Sequence, residues 1–500
     1  MNGWKDFWAG VEIFFSNFNA RFGWLVPLLL FLVIGGSLFW ALVRTVLSGR
    51  DLNRCPSPYK TRRADEHLTA RAAESLAQAV AIPTVTGDRE GIDRLNAWIR
   101  ERYAGLLEQV SCAETDSGSL VLRWRAAEKS DRGPALFCGH LDVVPPGTGW
   151  TEEPFSGARR DSMICGRGAV DCKATVVALL EACDALRREG FAPRRDLYFA
   201  FGSDEETGGT QGAARIAEQF SKRGLHFELV LGDGGFIAEN HLDRVEHAAA
   251  LIGVGEKRSC AFRLTATAAG GHSSTPPRRT APGALCEAMC RIESVQPRHR
   301  LSPLTAGYLR ASLPAMTFGK RFAVCNMPFS RPILTRVFRS EPRVLALMRS
   351  TAVPTQLAAA PAPNILPVTA EGVVSARLLP GEKPEEMLDH LRALVADLPL
   401  RVELLDDWGG GPVADRRNPM FALLASTVKE LYPRMPVLAT LCTGATGSRH
   451  YANLADCTLR FAPLVLSARE NAGVHGADEC LSEQSLGLAV ETYMNLMKKL

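Results

Sequence analysis

Three consecutive carboxylates, Asp204, Glu205 and Glu206, stand between the apolar run Phe199-Ala-Phe-Gly-Ser and the pair Gly208 and Gly209. Holding three like charges together is costly unless they face water, take up protons or meet a cation, and a bound cation reverses the local preference for protonation. A solvated acidic turn after a strand is the plain alternative. The rest of the chain offers further groups of the same chemical kind. His140 and Asp142 lie two apart at the end of Ala135-Leu-Phe-Cys-Gly, a spacing that turns both side chains to one side of an extended strand. A neutral imidazole ligates transition metals, and a nearby carboxylate fixes its tautomer and ring orientation. Asp171 leaves the glycine-rich turn Cys165-Gly-Arg-Gly-Ala-Val, Asp233 follows Leu229-Val-Leu-Gly, and His475 sits between small residues in Asn471-Ala-Gly-Val-His-Gly-Ala. Asp171 could instead cap a helix, and His475 alone would pass for an ordinary surface or core histidine. A phosphate loop is excluded because the spacing and the G-K-[ST] ending are missing.

The elements that must hold these groups follow from periodicity. Helical spacing runs over Leu68 to Val80, Ile92 to Leu107 and Ala174 to Arg188, while Leu120 to Trp124, Ala135 to Cys138, Asp196 to Phe201 and Phe227 to Leu231 read as strands. Strands alternating with helices predict an α/β fold with a doubly wound catalytic sheet, in which ligands bind beyond the carboxyl ends of the strands. His140, Asp171, Glu205, Glu206 and Asp233 all follow such ends or lie in the adjoining loops. Composition agrees with a folded protein: 500 residues, 46% hydrophobic and 22% charged, with a net charge of +4 spread without a basic face. Wholesale disorder and nucleic-acid binding are thereby disfavoured.

In the order GHLDVVP (139–145), GRGAVDCK (166–173), SDEETGG (203–209), LGDGG (231–235) and VHG (474–476), the chain closely resembles the M20 family of dinuclear zinc peptidases and amidohydrolases, over residues 65 to 500. The resemblance implies that His140, Glu206, Asp233 and His475 hold two divalent metal ions with Asp171 bridging them, that Asp142 orients His140, and that Glu205 is the general base. It further implies a cis peptide after Asp171. Imidazole ligands favour zinc over calcium, with cobalt or manganese as substitutes.

The same resemblance implies an inserted α/β lid domain, placed at 253–404, between a first catalytic part at 65–252 and a second at 405–500. Its signs are a strand at Ser259 to Thr267, a helix at Gly283 to Ile292, a strand at Glu371 to Leu379 and a helix at Lys383 to Leu398. His272, in Gly270-Gly-His-Ser-Ser, resembles a lid histidine that stabilises the oxyanion, from the closed lid or from a second subunit of a homodimer formed through the lid. Asn364 and Arg377 fall in lid-like motifs. Thr443, Gly444 and Arg449 fall in a loop resembling a substrate-binding one, where Gly447 departs from the usual Asp. Arg377 and Arg449 are the two candidates for a substrate carboxylate. An apolar insertion near 304–360 resembles, more loosely, the carboxypeptidase S and fatty-acyl amino acid hydrolase subgroup, and suggests an acyl channel, a core extension or a dimer surface.

At the amino terminus, an N-terminal segment (1–23) precedes the uncharged stretch 24–43, which is long enough to cross a bilayer as one transmembrane helix, and a tether (44–64) containing Pro56 and Pro58 follows. Lys5 and Arg21 precede the span, whereas Arg44, Arg50, Arg54, Lys60, Arg62 and Arg63 follow it, which favours a cytoplasmic catalytic domain. Thirteen cysteines without disulfide-framework spacing point the same way, with Cys286 and Cys290 read as helix-core residues. The expectation is a membrane-anchored hydrolase that cleaves an amide next to an amino acid, in a small peptide or an N-acyl amino acid. The alternatives are a deacetylase or desuccinylase of a small biosynthetic intermediate, and an inactive binding protein on the same fold.

Overall fold

Strand residues buried on both faces build the large sheet. Leu197–Gly202 is buried at every position and Ala135–His140 at all but one, so neither shows the polar alternation of a half-exposed strand. A computed structural model describes residues 16, 25–50, 63–239, 242, 248–360, 362–433 and 435–500. Apart from Ser16, the expected segment before residue 24 lies outside the described residues, as do Trp24 and the prolines of the tether.

The large sheet has ten strands, and its centre, Leu197–Gly202, Ala135–His140, Leu229–Gly232 and Thr458–Arg460, is parallel. Alternate residues feed two cores. Phe137, Phe199 and Leu231 pack with the helices Glu66–Val80, Lys173–Arg188 and Glu483–Lys499. Leu136, Tyr198 and Val230 pack with Ala213, Ile216 and Phe220 of the helix Ala213–Lys222. Helices therefore cover both faces, but the sheet is mixed rather than wholly parallel: Ser111–Glu114 pairs antiparallel with Leu120–Trp124, and Phe236–Ala238 with Ala249–Glu256. The five residues between the first pair are too few for a crossover helix and permit only a hairpin.

A second, four-stranded sheet is antiparallel throughout, in the order Thr351–Ala358, Thr369–Leu378, Arg258–Thr267, Leu400–Asp407. Ala281–Ser294 and Pro384–Leu394 cover one face around Phe262, Leu264, Leu285, Val374 and Leu391. Thr280 caps the first of these helices by accepting from Gly283 N, and Pro384 opens the second, where a missing N–H costs nothing. Cys286 and Cys290 are exposed, not core: they lie four apart, on the stripe opposite Ala281, Ala284, Leu285, Ala288 and Ile292.

The apolar insertion divides in two. Its last part is the edge strand Thr351–Ala358, whereas its helices, among them Pro303–Ala311, Phe318–Cys325 and Pro342–Met348, surround a core of their own that includes Leu438 and Leu441 from the large-sheet strand Val437–Cys442. The helices thus pack against the large sheet. Leucines on one face of Val437–Cys442 supply the apolar surface they need.

Leu25–Arg50 is one helix, running past the predicted end at 43, and neither glycine nor proline stands between Val43 and Gly49. It is long and apolar enough to cross a membrane, by length and composition. A disulfide joins Cys165 to Cys480, 315 residues apart, a pairing that the cysteine spacing did not indicate. Cysteine usage therefore no longer supports the cytoplasmic side, since disulfides persist in oxidising compartments.

Candidate metal centre

His140 ends the strand Ala135–His140, and its Nδ1–H donates to the backbone carbonyl of Asp142 at 2.8 Å. The acceptor can only be a carbonyl oxygen, so Nε2 is left as the lone-pair nitrogen. That atom lies 3.1 Å from Asp171 Oδ1 and 4.0 Å from Asp233 Oδ2. The Asp142 carboxylate has a different task from the one expected. Its Oδ1 is 3.5 Å from His140, while its two oxygens accept from Glu205 N at 3.0 Å and Glu206 N at 3.1 Å. Burial works against ionisation of Asp142, but His140 and the two amides outweigh it and hold the carboxyl below its usual range. Asp142 therefore orients the ring through its backbone and seats both glutamates through its side chain.

Asp171 precedes the helix Lys173–Arg188 but does not cap it; the cap position is Cys172, with no side-chain bond, and the Asp171–Cys172 peptide is cis. The Asp171 amide is held by Glu479, whose Oε1 accepts from Val170 N and Asp171 N at 2.8 and 3.0 Å and whose Oε2 accepts from Gly168 N at 3.1 Å. Glu479 also pairs with the buried Arg167 at 2.6 Å, and Arg167 donates to Gly476 O at 2.8 Å, next to His475. One ion pair thus ties the Asp171 loop to the His475 loop. Glu479→Ala would leave the Arg167 charge buried without its partner, and is expected to cost about 3–5 kcal/mol in chemical denaturation. A loss within ~0.5 kcal/mol of wild type would show that the pair is not needed.

Asp171 Oδ2 reaches His475 Nε2 at 3.2 Å, so the two oxygens of one carboxylate face two imidazoles. His475 Nε2 is also 3.3 Å from Glu206 Oε1, close enough for charge attraction but outside hydrogen-bond geometry, and that oxygen is buried with no hydrogen-bond partner. Among the described residues three groups result, each with donor atoms within 4.8 Å: His140, Asp171 and Asp233; Asp171, Glu206 and His475; and His140, Glu205 and Glu206. Cys172, which the sequence reading did not single out, joins the first group. Its Sγ accepts from His140 N at 3.3 Å, and burial pushes the thiol up to about 11. An orphaned buried carboxylate oxygen together with nitrogen and oxygen donors fits a pair of divalent transition-metal ions that share Asp171.

Glu205 and Glu206 occupy a single 3-10 turn, Glu205–Thr207, closed by Gly208 at φ 101°, a conformation that disfavours any side chain. Asp204, for which the sequence offered no role, anchors the turn: its carboxylate accepts from Gln211 N at 2.7 Å and Gly212 N at 2.8 Å, fastening the loop to the start of Ala213–Lys222. Burial, opposed by His140 and reinforced by Asp233, Glu206 and Asp171, pushes the Glu205 carboxyl up to about 8.

Arg449 is held by the backbone around it. Its Nε, Nη1 and Nη2 donate to the carbonyls of Trp408, Thr446 and Gly208 at 3.0, 2.7 and 2.6 Å, and Nη1 lies 3.7 Å from Glu205 Oε1. It pins the glutamate turn. Arg377 differs: it lines the same cavity as the metal-ligand candidates, and its Nη1 is buried without a hydrogen-bond partner. Thr443 and Gly444 line the cavity too, in a loop whose Thr446 donates through N and Oγ1 to the buried Glu256, itself paired with Arg460. The cavity measures about 710 Å³ and includes Tyr308, Val344 and Leu347 from the insertion. His272 and Asn364 stand elsewhere, both exposed, on the short ladder Gly271–His272 with Ile365–Leu366, where Ser273 N donates to Asn364 O at 3.2 Å. The structure does not bring them to the cavity within one chain.

The sequence pattern of Peptidase family M20/M25/M40 matches residues 136–499. The chain belongs to the M20 peptidase family. Among its curated relatives, the probable carboxypeptidase S-like 2 of Dictyostelium discoideum is 33% identical over 443 residues, 85% of this chain and 84% of that protein. The N-fatty-acyl-amino acid synthase/hydrolase PM20D1 of Xenopus tropicalis is 31% identical over 435 residues, 85% of each chain. Of solved structures, an M20 family metallo-carboxypeptidase from Sulfolobus solfataricus shares the fold with a TM-score of 0.64 at 16% identity, covering 87% of this chain and 99% of its own. The M20 membership and these relatives make the protein a metallopeptidase or amidohydrolase, the suspected subgroup included.

Proposed function

We propose that this M20 hydrolase cleaves the amide of an N-acyl amino acid with a long apolar acyl group, and that it does so beside a membrane to which Leu25–Arg50 anchors it. The observation that carries the substrate reading is the cavity: Arg377, with its unpartnered Nη1, and the apolar side chains Tyr308, Val344 and Leu347 share one space with the carboxylate and imidazole cluster. A planar guanidinium suits a carboxylate, and an apolar wall suits a hydrocarbon chain.

His140 and Asp233 would hold one divalent ion and Glu206 and His475 the other, with Asp171 shared between them. When bound, such a pair acidifies water and polarises a carbonyl. Glu205 takes the proton of the attacking water and returns it to the amine as the amide C–N bond breaks, so that acid and amine leave with one water consumed. Asp142 and Arg449 keep Glu205 in place for both transfers. His272 acts on the developing oxyanion only if the smaller domain closes or a second copy supplies it, which is the role of a homodimer through that domain.

Arg377→Ala is expected to raise KM about 10- to 100-fold with little change in kcat, because it removes a charge-assisted contact made equally in ground and transition states. Steady-state kinetics on an N-acyl amino acid check this, and an unchanged KM would remove Arg377 from substrate binding. The substrate class itself is tested by comparing N-fatty-acyl amino acids with dipeptides and N-acetyl amino acids of the same head group. Preference for the short substrates would overturn the acyl-wall reading and favour a dipeptidase or deacetylase.

A further inference from the structure

We propose that the helical insertion 303–348 is a docking platform for an anionic lipid bilayer, seated on the membrane surface beside the apolar helix Leu25–Arg50. Three independent features meet there. The first is where the apolar helix touches the protein. Asn326 Nδ2 donates to Ala41 O and Thr45 Oγ1, and Ser48 Oγ lies 3.2 Å from Cys325 Sγ, so the contact is made by the last turns of the helix. Residues 31–40 are all exposed, with Phe31 at 73% and Trp40 at 61%, and at 1.5 Å per residue they extend roughly 15 Å beyond that contact. A bilayer that takes up this stretch must have its surface at the level of the insertion.

The second feature is aromatic. Outside that helix, Phe318 and Phe329 are the only exposed Phe or Trp side chains among the described residues, at 52% and 83%, and Ile333 is 51% exposed. They are near the same contact. Phe318 opens the eight-residue helix that ends at Cys325, and Phe329 is four residues further on. Exposed aromatic and aliphatic side chains gathered in this way mark an interaction surface, and such rings favour the membrane interface.

The third is charge. Residues 303–348 carry seven Lys or Arg against the single acid Glu341, although the whole chain is only +4. Arg310, Arg331, Arg336, Arg339 and Arg343 are exposed. Basic side chains interleaved with exposed apolar ones match an anionic leaflet, which supplies both phosphate and hydrocarbon. Because Tyr308, Val344 and Leu347 of this same insertion line the cavity, an acylated substrate dissolved in the bilayer meets the protein at the wall that receives its chain.

Trypsin access tests the platform without using activity. Full-length protein is placed in phosphatidylcholine nanodiscs containing phosphatidylserine, in phosphatidylcholine alone, and in amphipol. Cleavage after Arg336 and Arg339 is measured relative to cleavage after Lys129 in its exposed loop. The relative rate is expected to fall at least tenfold from amphipol to the anionic bilayer. Phe318→Ser/Phe329→Ser/Ile333→Ser should lose that slowing while cutting at the wild-type rate in amphipol. Should the triple variant cut faster in amphipol, Arg310→Glu/Arg331→Glu decides, since it should abolish the difference between anionic and neutral bilayers. Equal rates in all three media overturn the platform. Slow cleavage in amphipol as well shows that a second copy covers the face, which overturns it too.

Discussion

Glu205→Gln is expected to lower kcat by at least about 10²–10⁴ while leaving about two metal ions per chain, the number a shared site holds. The amide keeps the size of the side chain but cannot accept and return a proton. Its surroundings do not depend on the charge: the Glu205 amide stays bound to Asp142, and Asp142, Asp204 and Arg449 still fix the turn. Burial and the neighbouring acids push the Glu205 carboxyl up to about 8, and cations bound beside it would lower it again toward the ionised form a base needs. One competing assignment exists, because Glu205 also converges with His140 and Glu206. Metal analysis of the purified variant separates the two: lost turnover with metal retained makes Glu205 the base, whereas lost metal makes it a ligand.

Asp171→Asn is expected to be as severe by a different route, with metal content falling from about two to one or fewer and turnover to near background. The carboxylate offers one oxygen to His140 at 3.1 Å and the other to His475 at 3.2 Å. An amide presents one oxygen and one NH2, so it cannot serve two cations at once. The fold should survive, since Glu479 grips the backbone of residue 171 and not its side chain. Inductively coupled plasma measurement with a thermal melt checks both statements. Full metal content in the variant would refute the bridging assignment.

What could be read in advance, and what could not, separates by the kind of partner each residue has. The convergence of His140, Glu205, Glu206 and Asp233 was legible because strand ends in an alternating α/β chain come together wherever the chain runs in sequence, and ligand-type residues at three such ends stand out. The helices and central strands were legible for a similar reason, since apolar spacing is local. The contacts of Arg449 could not be read in advance because its partners are three backbone carbonyls, which carry no residue identity. Asp142 meets the ring through its carbonyl at 2.8 Å as well as its carboxylate at 3.5 Å, and the carbonyl contact likewise carries no residue identity. The mixed pairing of the sheet turned on loop lengths that the strand pattern alone did not weigh.

By itself, then, the sequence determined the chemical identity of the site, the α/β class and the apolar helix, because each is written in residue type and short-range period. Tertiary structure decided how that chemistry is held. Glu479 grips the Asp171 loop from 308 residues away, Cys480 closes a disulfide with Cys165 across 315, and Asn326 meets the N-terminal helix across 281. Such pairings leave no local trace, since any buried acid, thiol or amide looks alike until the chain has folded around it. The insertion likewise became a wall of the cavity only when its leucines and tyrosine found Leu441 of the large sheet. Burial of apolar surface chose that partner, and it is a property of the whole fold rather than of any one segment.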